Sequence, residues 1–252
     1  MPRPAPAWVL VADFVDVDLG TLKTGKEAEI RVVERRAHDG TSRHLLADKR
    51  YRPKSVTYKG ELQALGFTTS AAFRNDVTYR ESRTTRNTRD RRAIAKMSRR
   101  GREVVREGWV GHEFDVLSAW WDLGVRVPYP VSTDRSCSVL LEYLGDEGGA
   151  APRLAQAGLS LAAVEHAWEQ LLDSLHLVVA GGWVHADLSA YNLLWWKDQV
   201  WLIDVPQAVE LHRATNGYDL LHRDVVNICR WFASKGLAAA NDPDAVFALL
   251  MR

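Results

Sequence analysis

Cysteine is scarce: Cys137 and Cys229 are the only two in 252 residues. Two thiols make neither a disulfide framework nor, alone, a zinc cage, so a reducing, cytoplasmic setting is expected. Long apolar runs are missing too. No window reaches the ~18 consecutive apolar residues of a membrane span, and Trp8–Val11 is too short a run for a signal-peptide core. A membrane role is therefore not expected. There is no internal repeat. A hydrophobic share of 46% with 26% charged residues excludes a disordered or collagen-like chain. Net charge is almost absent at +1, yet the charge is uneven. Eleven Arg and one Lys lie between Arg74 and Arg106 against four acids, so that stretch carries +8 and the rest of the chain −7. Such a segment reads either as a solvated flexible loop or as a nucleic-acid contact.

The N-terminal part reads as strands. Glu29–Arg35 and His44–Lys49 are rich in β-formers, and Asp39-Gly40 between them is a hairpin turn signal. The basic stretch, about 74–106, is expected to be a mobile or weakly helical insertion, with Ser82, Thr84, Thr85, Thr88 and Ser98 as candidate self-phosphorylation positions. Val110, Phe114, Leu117 and Trp121 recur at helical steps up to about Gly124. Ser138–Leu144 reads as a buried strand and Gly145–Gly149 as a linker between two lobes, 1–144 and 145–252. Ser160 is placed to cap a long helix that Gly181-Gly182 ends. Two short strands, 193–196 and 200–203, follow, and a last helix runs from about Gly217 to Ala233.

Within the second lobe stands His185-Ala-Asp-Leu-Ser-Ala-Tyr-Asn192, and Ile203-Asp204 closes the next hairpin twelve residues after the Asn. An Asp, an Asn five residues on, and a second Asp at the hairpin end form a phosphotransferase pattern. In that pattern Asp187 orients the acceptor hydroxyl, and Asn192 and Asp204 hold a metal against nucleotide phosphates. Magnesium is a hard ion that takes oxygen ligands, which carboxylate and amide supply. A partner lysine belongs on the third strand of the first lobe. Alternation puts Ala47 and Lys49 on one face, so Ala47 can roof an adenine while Lys49 reaches the phosphates. Glu113, inside the next helix, is the matching ion-pair partner. His185 reads as a scaffold residue of the loop rather than a base.

Together Thr24-Gly-Lys-Glu-Ala-Glu29, Glu113-Phe114, Ala151-Pro-Arg-Leu154, His185–Asn192 and Ile203-Asp-Val205 resemble the RIO-type atypical serine/threonine protein kinases, closest to the RIO1 branch. The resemblance covers about residues 20–235. It implies an α+β, two-lobed kinase-like fold, with a β-rich first lobe and a mainly helical second one, and without a conventional activation segment. It implies an ATP- and magnesium-dependent kinase (manganese being the other possible ion), with Asp187, Lys49 and Glu113 as catalytic residues and Asn192 and Asp204 as metal ligands. Thr24, Gly25, Lys26 and Glu27 would form the phosphate loop. Ala47, Glu142, Tyr143 and Ser189 would contact the nucleotide, Glu142 and Tyr143 as the hinge. It also implies that Asp204 can accept the γ-phosphate as an aspartyl-phosphate.

Gly25 stands alone where ordinary kinases carry three loop glycines, and about a dozen residues separate Asp204 from the next helix. Pro206 occupies a position where the family pattern has serine, and about twenty residues precede the phosphate loop. Two alternatives therefore stand beside a protein kinase. One is an ATPase switch that contacts RNA or a ribonucleoprotein through the Arg-rich stretch. The other is a small-molecule phosphotransferase like the aminoglycoside and choline kinases, which share the H-x-D-x-x-x-x-N and I-D pattern.

Overall fold

The computed structural model of the chain describes residues 3–10, 13–25, 28–52, 88–95 and 98–252. Five antiparallel strands form the N-terminal sheet: β1 (Phe14–Thr24), β2 (Ala28–Ala37), β3 (Arg43–Tyr51), β4 (Pro130–Thr133) and β5 (Ser138–Glu142). Their order across the sheet is β1-β2-β3-β5-β4. The β2–β3 turn carries Gly40 at φ 71°, the left-handed conformation that a tight hairpin requires. Register pairs Val32 with Ala47 and Ile30 with Lys49 on β2–β3, and Val139 with Lys49 on β3–β5. Lys49 therefore projects from the middle of the sheet, flanked by strands on both sides.

The helix carrying Glu113 starts earlier than its apolar period indicates. Helix α1 spans Thr88–Ala95 and α2 spans Arg99–Asp122. The described part of the basic stretch is therefore helical, one of the two forms expected of it, while 74–87 lies outside the described residues, as do the candidate phosphorylation positions Ser82, Thr84 and Thr85. Helix formation there rests on local charge pairing and a cap rather than on an apolar stripe. Ser98 Oγ accepts the Gly101 N–H at the N-terminus of α2, so this hydroxyl serves as a helix cap. Arg99 pairs with Glu103 four residues on, and Arg100 reaches both Glu107 and Asp90 of α1. Such pairs hold an exposed helix where burial cannot.

Beyond Arg106, α2 buries two successive faces. Val110 packs with Tyr51 and Val139 under the sheet. About two to three turns later Val116, Leu117, Trp120 and Trp121 enter the main core, together with α3 (Leu161–Ala180) and α4 (Gly217–Ser234). A single helix thus ties the sheet to the helical half. Ser160 caps α3 through the Ala163 N–H, as its sequence position indicates. The stripe Val164, Trp168, Leu171 and Leu175 is buried, each side chain contributing roughly 1.5–3 kcal/mol.

Between α3 and α4 run four short strands: β8 (Trp183–Val184), β9 (Leu193–Trp196), β10 (Gln199–Leu202) and β11 (Val209–Glu210). β9 pairs with β10 and β8 with β11. The expected linker at 145–149 is itself paired, as β6 (Gly145–Asp146) against β7 (Gly149–Ala150). Gly145 is obligatory there, because a Cβ would meet Gly149 O at 2.4 Å. A terminal helix, α5 (Pro243–Leu250), packs on α4. No helix among the described residues is long and apolar enough to cross a membrane.

Candidate active site

Lys49 is where sheet and helical half meet. Its Nζ lies 2.6 Å from Glu113 Oε1 on α2 and 2.9 Å from Asp204 Oδ1, which follows β10. The three residues are far apart in sequence, and a strand, a helix and a hairpin end converge on one ammonium. Burial opposes the charge of Lys49, but Asp204 and Glu113 outweigh it and hold the ammonium well above the usual lysine range. In return Lys49 holds the Asp204 carboxyl below the ordinary aspartate value, with Arg153 adding positive potential. The Glu113 side chain is 1% exposed, whereas that of Asp204 is 44% exposed. One carboxylate is thus fixed in the core and the other opens to solvent. Asp204 also sits at φ 62°, a conformation unfavourable to most side chains and common at functional turns.

The His185–Asn192 motif folds as a compact unit. Asn192 Nδ2 donates to the Asp187 backbone carbonyl at 2.8 Å and to its Oδ2 at 3.1 Å. The Asn192 N–H donates to Ser189 O, and its carbonyl accepts the Ile203 N–H at 3.0 Å. That last bond joins the loop to the strand end that presents Asp204. His185 Nε2 lies 3.2 Å from the carbonyl of Ile203, and burial lowers the imidazole's affinity for a proton. This agrees with a scaffold role. Ser189 is partly buried within the same turn. Arg153 donates to the carbonyl of Tyr191, which brings the Ala151–Leu154 segment against the loop.

One loop-supporting residue has no counterpart in the motif reading. Asp224, 1% exposed on α4, accepts the Ala186 N–H at 2.6 Å and the Leu188 N–H at 3.1 Å, the two peptides that flank Asp187. Arg223 donates to the Ala186 carbonyl at 2.5 Å. Ala186 lies at φ 63°, so its strained peptide is held from both sides. The sequence signal was a charged residue on the apolar face Leu220, Leu221, Val225, Ile228. A buried carboxylate is costly unless it is paired and hydrogen-bonded, and besides the two N–H donors Asp224 has the Arg223 guanidinium 4.0 Å from its Oδ1.

The remaining candidates are distributed as follows. Thr24 and Gly25 form the tip of β1–β2, where the Gly25 N–H donates to Ala28 O at 2.8 Å and a Cβ would stand 3.2 Å from that oxygen. Lys26 and Glu27 lie outside the described residues. Ala47 shares the Lys49 face of β3. Glu142 pairs with Leu46, hence points to the opposite face, and its Oε2 accepts the Tyr129 N–H at 3.1 Å. Any hinge contact by Glu142 is therefore made by its backbone. The Tyr143 N–H is bonded to Leu45 O at 3.3 Å.

A divalent cation fits this donor set. Asp204 Oδ2 lies outside the ion pair with Lys49, and Asn192 has its amide nitrogen committed to Asp187, which leaves the amide oxygen for a ligand. Among the described residues no group of three or more His, Cys, Asp or Glu forms an all-protein cage. Magnesium asks for none, since it usually binds one or two protein oxygens together with phosphate and water.

Beyond Asp204, Pro206 is buried in a tight turn closed by the Ala208 N–H to Val205 O at 3.0 Å, and β11 follows directly. His112 of α2 bonds the Ala208 carbonyl at 2.8 Å. The stretch that ordinary kinases use as an activation segment is here a turn and a short strand.

Comparison with known proteins identifies the family. A RIO domain matches residues 68–245. The RIO-type serine/threonine-protein kinase Rio1 of Thermoplasma acidophilum is 32% identical over 138 residues, covering 55% of this chain and 69% of that protein. The protein of the same name from Haloferax volcanii is 34% identical over 140 residues, 56% of this chain and 47% of its own length. Serine/threonine-protein kinase RIO1 of Caenorhabditis elegans is 28% identical over 219 residues, 86% of this chain and 37% of its own. The chain thus spans about half or less of the length of the last two. With its β-sheet first half, helical second half and a lysine bridging them, the chain belongs to the RIO family of kinase-like ATP-dependent phosphotransferases.

Proposed function

We propose that the chain transfers the γ-phosphoryl group of ATP to a serine or threonine hydroxyl, its own included, with magnesium or manganese as the ion. The observation that carries this is Lys49 held between Glu113 and Asp204, beside a loop in which Asn192 orients Asp187. Lys49 reaches the α- and β-phosphates. Asp187 accepts or orients the hydroxyl proton of the acceptor. Asp204 and Asn192 would hold the metal, which would supply charge neutralisation to the nucleotide phosphates. Val32 and Ala47, paired in register, roof the adenine, and the β1–β2 tip with Thr24, Gly25, Lys26 and Glu27 covers the phosphates. Tyr143, Ser189 and the Glu142 backbone complete the nucleotide site. The two free thiols fit a cytoplasmic location.

The test is ADP release and label transfer from ATP to protein, compared across wild type, Lys49→Ala and Asp187→Ala. Wild-type rates in Asp187→Ala would reject the assignment.

A second reading, an ATPase switch that contacts RNA, is favoured by one observation: residues 205–211 are taken up by the turn and β11. That leaves little chain after Asp204 to dock a peptide. ADP release measured with and without protein and RNA separates the two. The family match takes support away from the aminoglycoside- or choline-kinase alternative.

A further inference from the structure

Tyr51 stands two residues after Lys49 on β3, so both side chains leave the same face of the sheet. The Tyr51 hydroxyl donates to Glu113 Oε2, the oxygen that Lys49 does not take. Its ring centroid lies 5.1 Å from Lys49 Nζ. The residue is itself buried, packed against Val110 and Val139, and its backbone N–H donates to Cys137 O at 2.7 Å. Both the root and the ring of the side chain are therefore fixed.

Lys49 has two supports of unequal rigidity. Asp204 is 44% exposed, so a bound cation would compete with Lys49 for it and nucleotide phosphates would compete with it for Lys49. Glu113 is sealed in the core, but a glutamate carboxylate turns readily about its terminal torsion. If it turned, Oε1 would leave Lys49, and no solvent is at hand to satisfy it. The Tyr51 hydroxyl blocks that rotation by holding the second oxygen. Burial and the Glu113 charge push the phenol well above the usual tyrosine range, against the opposing effect of Lys49, so it remains a proton donor.

We infer that Tyr51 is a positioning residue for phosphoryl transfer: its hydroxyl locks the Glu113 carboxylate so that Lys49 stays aimed into the cleft when Asp204 is engaged elsewhere. This rests on the reading of Lys49 as the nucleotide lysine. The bland alternative is that Tyr51 only fills the small core beneath the sheet.

Tyr51→Phe removes the hydroxyl and keeps the ring. In the full chain we expect kcat/KM for ATP, read as ADP release, to fall about ten-fold, the size of effect a hydrogen bond to a charged group carries. The larger share should lie in KM, and Tm should fall by a few degrees because a buried Glu113 oxygen loses its donor. A double-mutant cycle supplies the decisive arm. If the hydroxyl acts through Glu113, Tyr51→Phe should change kcat/KM less than two-fold in a Glu113→Ala background. Wild-type kinetics in Tyr51→Phe, or a loss of Tm alone, would leave Tyr51 a core residue and overturn the inference. So would a full ten-fold loss that persists without Glu113. Lys49→Ala run in parallel distinguishes the failures. If it lowers ATP affinity while Tyr51→Phe does not, only the role of Tyr51 falls. If Lys49→Ala binds ATP like wild type, the reading of the site falls and takes Tyr51 with it.

Discussion

Replacing Asp224 tests whether the catalytic loop is held from below. Its two oxygens satisfy the N–H groups of Ala186 and Leu188, and Asp187 lies between them. A buried donor left without its acceptor costs about 1–3 kcal/mol. Asp224→Ala strands two, so roughly 3–5 kcal/mol of stability should go, a large part of the 5–15 kcal/mol typical of a domain. Asp224→Asn keeps one acceptor and should lose about 2 kcal/mol while remaining folded. The freed peptide then shifts Asp187, and a misplacement of about 1 Å costs on the order of 10²-fold in rate. ADP release should fall accordingly, with magnesium–ATP affinity nearly kept. The pH dependence gives a second readout. Burial pushes the Asp224 carboxyl from 3.8 up to about 7, despite the two N–H donors. Its folded value exceeds its unfolded one, so its contribution to stability is full below about pH 4 and is lost as the pH rises to about 7. Asp224→Asn has no such titration, so its stability deficit should narrow between pH 4 and 7. An Asn variant with wild-type turnover, and a stability gap that does not move with pH, would refute the clamp.

Asp187→Ala should lower turnover ~10²–10⁴-fold with nucleotide affinity kept, as measured by ADP release and calorimetry. Ala186 sits at φ 63° in a fully buried position, so by denaturant unfolding Ala186→Gly should leave stability within about 1 kcal/mol of wild type, while Ala186→Val should lose roughly 2 kcal/mol or more. If Asp204 accepts phosphate, label from ATP should be released by hydroxylamine and be absent in Asp204→Asn; label that survives hydroxylamine and maps to Ser or Thr rules this out. If the α1–α2 corner contacts RNA, Arg92→Ala with Arg99→Ala should reduce the slope of log affinity against log salt by about 2, and an unchanged slope rejects the contact.

The catalytic loop was readable because its geometry is made within one short piece of chain: Asn192 reaches back five residues to Asp187, and the β9–β10 hairpin returns the chain to Asp204. Lys49 was readable because strands alternate, so placing Ala47 placed the lysine. Glu113 followed once a helix was expected around it, although the helix begins at Arg99. Ion pairs such as Arg100 with Glu107 carry its first turns and leave no apolar period to detect. The contacts that fix these groups were not readable, and for one physical reason. Asp224 meets Ala186 across 38 residues and Tyr51 meets Glu113 across 62. Nothing local marks either as more than a charge on an apolar helix face or an aromatic on a strand. Motif spacing reports the groups proposed to face the substrate, because chemistry fixes their types. The groups behind them are chosen by burial, where any well-placed acceptor or hydroxyl meets the same need. A carboxylate is chosen at 224 because two adjacent N–H groups point at one spot, and a tyrosine at 51 because one oxygen of a sealed glutamate needs a donor that brings no second charge.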